Sequence, residues 1–387
     1  MKKTLLLIVF TLILLGTSAC DEREPAQPAG NGDGSPRLSE LLSPDDAAGF
    51  ALVLEPRRFS FPEDHGPHPR YRNEWWYVTG NLDAAGGRRF GFELTIFRFE
   101  LAPAGTKERA QTRSAWETNQ VYIGHFAVTD ANTGTFHVAQ RHARGALGLA
   151  GAKVRPLRVW VEDWALEERA RDTPGSLSLD AADQGVELSL SLQALKPPVL
   201  NGIDGLSQKS AEPGNASYYY SISRLQAEGA LAIAGERYAV SGLAWFDREW
   251  GSSALSKEQE GWDWFALQLS DGSDLMFYHL RRSDGSIDPH SAGTWIPAGA
   301  GSEHLRQDDV QIEVRDYWDS PKGGRYPNAW TIRIPRLDLE LDVDPVLEAQ
   351  ELETTVRYWE GAVDVAGSRS GNAIEGRGYV ELTGYAR

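Results

Sequence analysis

From about residue 58 onward the chain alternates between apolar and polar positions. The alternation is clear in GFELTIFRF (91–99), VYIGHFAVT (121–129), SLSLD (176–180), GVELSLSLQ (185–193), LAWF (243–246), the long run 264–282, the run 329–343 and YVELTGY (379–385). A period of two sends successive side chains to opposite faces of an extended strand, and DG, GG and NTG turn signals separate the runs. The pattern predicts an all-β protein of barrels or sandwiches, with short helices only around 39–48 and 347–353. A chain of 387 residues exceeds the size at which one core stops growing. A weak internal repeat agrees with two copies of one architecture. WWYVTGNLDAAGGRRFGFELTIFRF and WDWFALQLSDGSDLMFYHLRR share a tryptophan pair, a strand, a turn and a strand, and an offset of 188 puts Trp76 on Trp264 and Tyr77 on Phe265. The expected domains are 58–240 and 241–387.

Two stretches break the simple pattern. AWFDREWG (244–251) sets Asp247, Arg248 and Glu249 among Trp245, Phe246 and Trp250, and RNEWWYVTG (72–80) sets Arg72 and Glu74 beside Trp75, Trp76 and Tyr77. An unpaired buried charge costs several kcal/mol, so these charges need compensation. As a strand, 244–251 puts Trp245, Asp247 and Glu249 on one face and Phe246, Arg248 and Trp250 on the other. Two carboxyls beside an indole resist joint ionisation, which would leave a protonated acid among aromatic rings, the equipment for protonating an alkene. The alternative is structural: Arg248 or Arg72 pairs with these acids in a buried network that locks the barrels together. SYYYS (217–221) offers a second candidate wall, with Tyr218 and Tyr220 on one face and Tyr219 on the other, and it also reads as an ordinary core strand.

The N-terminus changes the setting. Residues 1–20, MKKTLLLIVFTLILLGTSAC, join two lysines, an apolar run too short to cross a bilayer, and small residues ahead of Cys20, the single cysteine. This predicts a signal peptide cut before a lipidated Cys20, then a flexible Pro/Gly/acid tether through about residue 57. Thr17 stands where such signals usually carry leucine. The expected location is the bacterial cell envelope, lipid-anchored and facing the periplasm or the exterior. Loss of residues 1–19 removes Lys2 and Lys3 and no acid, taking the charge from −16 to −18 and arguing against nucleic acid as a partner. Thirteen tryptophans point to a large aromatic core or a hydrophobic ligand cavity, with Trp75, Trp76, Trp262 and Trp264 as its expected wall.

Signatures of the common enzymes are missing. There is no GxSxG elbow, HExxH helix, GxxxxGK[ST] loop or GxGxxG turn. Asp64, His65 and His68 in DHGPHP sit in a Pro-rich loop without a further ligand pair, so the expectation is no metal and imidazoles that pin the loop by hydrogen bonds.

FPEDHGPHPRYRNEWWYVTGNL (61–82), SYYYS, GLAWFDREWGS (242–252), GWDWFALQLSDGSDLMFYHLR (261–281) and YWEGAVDV (358–365), in this order, resemble the AttH-like and carotenoid 1,2-hydratase-like proteins. The resemblance spans nearly everything from residue 55. It implies two tandem lipocalin-like (calycin) barrels, with Trp and Arg packed at a closed barrel end and the charges between barrels mutually paired. For function it implies a protein that holds a hydrophobic ligand of lipid or isoprenoid type. The alternatives it implies are a cofactor-free hydro-lyase or isomerase and a non-catalytic accessory to an ABC-type export system. In the enzymatic case Asp247 after Trp245 is the acid, and Tyr218 and Tyr220 occupy the places of the family's upstream His and Trp.

Overall fold

The computed structural model describes residues 47–103, 114–168, 175–253 and 255–386. The expected signal, Cys20 and most of the tether lie outside the described residues. The last part of the tether is part of the fold: Val53 is buried in the first core, and Arg57 bonds Asp64 at 2.6 Å.

Two large antiparallel sheets account for the chain, the all-β tandem-barrel architecture expected. In the first, the strands run in space Thr135–Arg144, Gln120–Asp130, Arg88–Glu100, Asn73–Ala84, Glu236–Gly251, Ala216–Ile233, Val186–Ala194, Ser176–Asp183, Trp164–Glu168, Arg158–Val161, Ala150–Lys153. It curls until the strands at its two ends pack on each other. In the second, the order is Glu303–Arg306, Ala292–Ile296, Asp274–Arg282, Gln259–Leu269, Asn372–Leu382, Tyr358–Arg369, Leu339–Pro345, Arg325–Ile334, Gln311–Asp319, and the terminal strands do not pair, leaving a half-barrel.

Each barrel encloses its own apolar core, and a third apolar cluster lies between the barrels. The strands next to this seam are buried on both faces. Residues 244–251 have no exposed position, and neither do 263–269. Their alternation is therefore not apolar against polar but one core against another, which is why WFALQL reads as a nearly continuous apolar run. Gly91 permits the close approach of the sheets, since a Cβ there would stand 2.6 Å from the Ala362 methyl. Polar contacts fasten the seam: Asn81 Nδ2 donates to the Gly378 carbonyl at 3.0 Å, Thr129 to Gln350 at 2.7 Å, and Lys196 and Arg224 both hold Asp274.

Three expectations shift. Residues 241–251 belong to the first sheet, where they pair with both Asn73–Ala84 and Ala216–Ile233, so the second barrel starts at Gln259. No helix forms at 347–353; Glu351–Leu352 instead adds a short strand beside Tyr358–Arg369, because its backbone finds partners there. The repeat is out of step by one. Trp76 and Phe265 face the barrel cores while Trp75, Tyr77, Trp262 and Trp264 face the seam, so an offset of 187 superposes like faces and 188 reverses them.

Candidate active site between the barrels

AWFDREWG has two faces with different chemistry. Phe246, Arg248 and Trp250 enter the first barrel. There Glu74 bridges the guanidiniums of Arg248 and Arg98, all three without solvent exposure. Burial opposes charge on Glu74, but the two arginines outweigh it and hold the carboxyl well below its usual range. Arg248 lies 3.9 Å over the Trp76 ring and donates to the Gly66 carbonyl at 2.7 Å. This is the expected Trp–Arg pair, and it serves the barrel interior. The nearby loop is pinned as expected, although by side chains more than by carbonyls: His68 Nε2 meets Asp64 at 3.0 Å and its ring stacks on Trp250, while His65 Nδ1 meets the Tyr220 hydroxyl at 2.6 Å.

Trp245, Asp247 and Glu249 turn to the seam, where a cleft partly open to solvent lies between the barrels. Strand pairing explains which residues meet. In the first sheet Ser221, Asp247, Tyr77, Thr95, His125 and Gln140 are successive cross-strand partners, one row across five junctions. In the second, Glu360, Glu381, Trp264 and Tyr278 form the corresponding row. Because side chains in one row share a face, the two rows become two walls.

Asp247 sits in the first wall, fully buried. Its Oδ1 accepts from Ser221 Oγ at 2.5 Å and Trp245 Nε1 at 2.6 Å, and its Oδ2 from the Tyr219 hydroxyl. The Tyr219 oxygen in turn accepts from Trp264 Nε1 of the second barrel at 3.0 Å, and Asn201 donates to Ser221 at 2.8 Å. Burial pushes the Asp247 carboxyl up to about 7, although the three donors favour its charged form. Burial and the adjacent Asp247 keep Tyr219 a neutral phenol. Glu249 has a cation, Lys209 Nζ at 3.1 Å, which lies 4.2 Å from the centre of the Tyr278 ring. Much of the remaining wall is aromatic, Trp75, Phe97, Phe99, Trp262 and Trp264, with Trp264 edge-on to Tyr77 at 5.1 Å, and Glu360 and Glu381 also line it. Asp247 is thus a titrating acid facing apolar space.

Several expected placements change. Arg248 is committed to Glu74 on the other face, so Asp247 is not half of the buried ion pair considered above. The charges between the barrels are only partly paired, because Glu93 and Glu360 keep both carboxyl oxygens without a hydrogen-bond partner. Of the four tryptophans, Trp75, Trp262 and Trp264 line the cleft, while Trp76 lies in the first core. Tyr218 and Tyr220 point into that core as well, Tyr218 donating to the Glu55 carbonyl at 2.9 Å. Tyr219 is the tyrosine that reaches Asp247. The alternation in SYYYS was visible; which face met the cleft was not. Ser221 and Glu360, within SYYYS and YWEGAVDV but not singled out there, and Lys209 and Glu381, in no candidate motif, also line or support the site. Among the described residues no group of three or more His, Cys, Asp or Glu side chains is arranged to hold a metal ion.

Fold and cleft define a class, a two-barrel lipocalin-like protein with a carboxylic acid buried between its barrels. Residues 52–385 match the AttH-like family, and the chain belongs to it. An AttH-type protein from Nitrosomonas europaea, solved by crystallography, is 32% identical, with 87% of this chain and 100% of that one covered and a TM-score of 0.76. Kievitone hydratase from Nectria haematococca shares the fold at 15% identity, with 87% and 96% covered and a TM-score of 0.66. The dehydratase asqC of Emericella nidulans is 24% identical over 226 residues, 55% of this chain and 62% of that enzyme, so this chain spans less than two-thirds of its length.

Proposed function

We propose that this protein is a hydro-lyase that adds water to, or removes it from, a carbon–carbon double bond of a neutral hydrophobic substrate. The observation that carries the reading is Asp247: a buried carboxyl with three neutral donors, pushed up to about 7, at the wall of an aromatic cleft. Such a group carries a proton for part of the time at neutral pH and gives it up readily. In the hydration direction the Asp247 proton passes to one alkene carbon, and the positive charge left on the other lies among the rings of Tyr77, Trp264 and Tyr219, which line the cleft. Water then bonds to that carbon and releases a proton. Dehydration is the reverse: the hydroxyl leaves as water, and Asp247 as carboxylate takes the proton from the neighbouring carbon. The activities for which the dehydratase and hydratase relatives are named support this reading. It replaces simple ligand carriage as the main function, and retains it as the binding step.

A lipidated Cys20 would hold the enzyme at the envelope surface, close to apolar substrates; Cys20→Ser should move it to the soluble fraction. The function itself is tested by incubating the full chain with prenylated phenols and acyclic isoprenoid alkenes in ¹⁸O-labelled water. Incorporation of label by the wild type, abolished in Asp247→Asn, is the expected result. Tight binding of these compounds without incorporation would return the protein to a carrier role.

A further inference from the structure

Hydration moves two protons, one onto carbon and one off the attacking water, and Asp247 accounts for only the first. Glu249 is occupied by Lys209 and Ser217. The remaining carboxyls of the cleft, Glu360 and Glu381, are direct cross-strand partners on the wall supplied by the second barrel. Glu360 is wholly buried and neither of its oxygens has a hydrogen-bond partner; the phenols of Tyr77 and Tyr358 lie near it without a bond of normal length and angle. Glu381 accepts from Trp262 Nε1 at 3.1 Å. From the first barrel the groups facing them are Glu93, Tyr77, His125, Asp247 and Glu249, and from the second Tyr358 and Tyr379. None of these supplies a positive charge. Burial lowers His125 to about 3, which leaves its imidazole neutral, in contact with Tyr358 at 2.6 Å and Gln140 at 2.8 Å. Glu360 is buried, Glu381 beside it is half-buried, and Lys209, the cation lining the cleft, is held by Glu249, so joint ionisation of the two carboxyls is disfavoured and the pair retains a proton.

We infer that the Glu360–Glu381 pair is the second proton carrier of this site, receiving the proton that the attacking water gives up while Asp247 supplies the one that goes to carbon. The inference rests on the hydro-lyase reading. Written out, hydration transfers one proton from Asp247 to carbon and one from water to the singly protonated pair; exchange with solvent then restores both. In dehydration the doubly protonated pair gives a proton to the departing hydroxyl, and Asp247 takes one from carbon. Glu93, buried on the facing strand of the first barrel, does not line the cleft but adds its charge to the groups that raise Glu360. Burial pushes Glu381 up to about 8, and Glu249 and Asp247 add to the shift against the Trp262 hydrogen bond. Burial, then Glu93 and Glu381, raise Glu360 well above its ordinary value.

Phenyldiazomethane tests this without a substrate. It is small, neutral and apolar, and it esterifies only a protonated carboxyl: the acid proton goes to the diazo carbon, nitrogen leaves, and the carboxylate oxygen bonds to that carbon. The full chain would be treated between pH 5 and 9 and the esters located by peptide mass spectrometry. Exposed carboxylates should lose labelling about tenfold per pH unit throughout. Esters on Asp247 should persist to about pH 7, and esters on Glu360 or Glu381 to about pH 8. Glu360→Gln should cut labelling of Glu381 at pH 8 severalfold, because the shared proton is lost. An ester on Asp247 with none on the pair overturns this inference and leaves the hydro-lyase acid standing. Esters on the pair with none on Asp247 overturn the reading on which the inference rests, and a cleft without esters overturns both.

Discussion

Glu74 and Asp247 are both fully buried, both lie on strands of the same sheet, and their strands pair with each other, yet they are opposite kinds of carboxyl. Glu74 enters the first barrel, between Arg98 and Arg248, and is held ionised far below the usual range. Asp247 enters the cleft, receives three neutral donors, and is pushed up to about 7. Burial acts on both in the same direction; the difference is whether guanidinium groups are present. A paired buried charge holds structure, and removing one partner strands the other. An unpaired carboxyl in the same fold is costly when ionised and is useful for that reason, because it exchanges a proton near neutrality. One strand segment, Trp245 to Trp250, contributes to both environments, Arg248 to the first and Asp247 to the second.

The contrast predicts variants that separate chemistry from stability. The largest expected effect is on turnover: Asp247→Asn should lower kcat about 10²- to 10⁴-fold in the labelled-water assay. Its melting temperature should not fall below that of the wild type, since the amide oxygen still accepts from Ser221 and Trp245 and no cation is stranded. Glu74→Gln should do the reverse, costing about 3–5 kcal/mol in denaturant unfolding because Arg98 and Arg248 are left buried without their carboxylate. Phenyldiazomethane labelling of Asp247 in the folded fraction should be unaffected.

Stability as a function of pH should divide along the same line. Glu74 has a lowered folded value, so its contribution is present above about 4.5 and is lost as pH falls further. Asp247 and Glu381 have raised values, so their protonated forms cost nothing at low pH, and the penalty grows from about pH 4 upward and levels off above about 7 and about 8 respectively. A shift of roughly three units corresponds to about 4 kcal/mol. Unfolding measured from pH 4 to 9 should therefore show a decline between about pH 4 and 8 that Asp247→Asn and Glu381→Gln each flatten and Glu74→Gln leaves in place. The smallest effects should distinguish the tyrosines. Tyr219→Phe removes a donor that favours the Asp247 carboxylate and should move the alkaline limb of kcat upward by up to about one pH unit. Tyr220→Phe, which faces His65 in the barrel core, should cost about 1 kcal/mol of stability and leave that limb unchanged.

Local chemistry determined a good deal of this protein in advance. Alternation and turn residues were enough for an all-β chain, because strand geometry forces a period of two wherever one face is buried. The same period correctly divided 244–251 into two sets and singled out Asp247 beside Trp245, because neighbours on a strand need no tertiary information to share a face. Which set met a cleft was a different matter. Asp247 and Arg248 were equal candidates until a second sheet, from Gln259 onward, covered one face and the barrel closed over the other. Tyr219 gave way to Tyr218 and Tyr220 in the reading of SYYYS for the same reason: parity relates residues within a strand but does not say which parity points where. The repeat offset failed by one residue, and one residue reverses every face. Glu360 and Glu381 lie in YWEGAV and YVEL, where nothing distinguishes them from surface glutamates. The burial of Glu360, its adjacency to Glu381 and the distance of both from a partner cation arise from strand register and from the other barrel, whose Glu93 lies 267 residues earlier in the chain. A side chain's face is set by backbone geometry a few residues long, whereas its environment is set by whatever the rest of the chain places against that face, and the chemistry of this cleft belongs to the second.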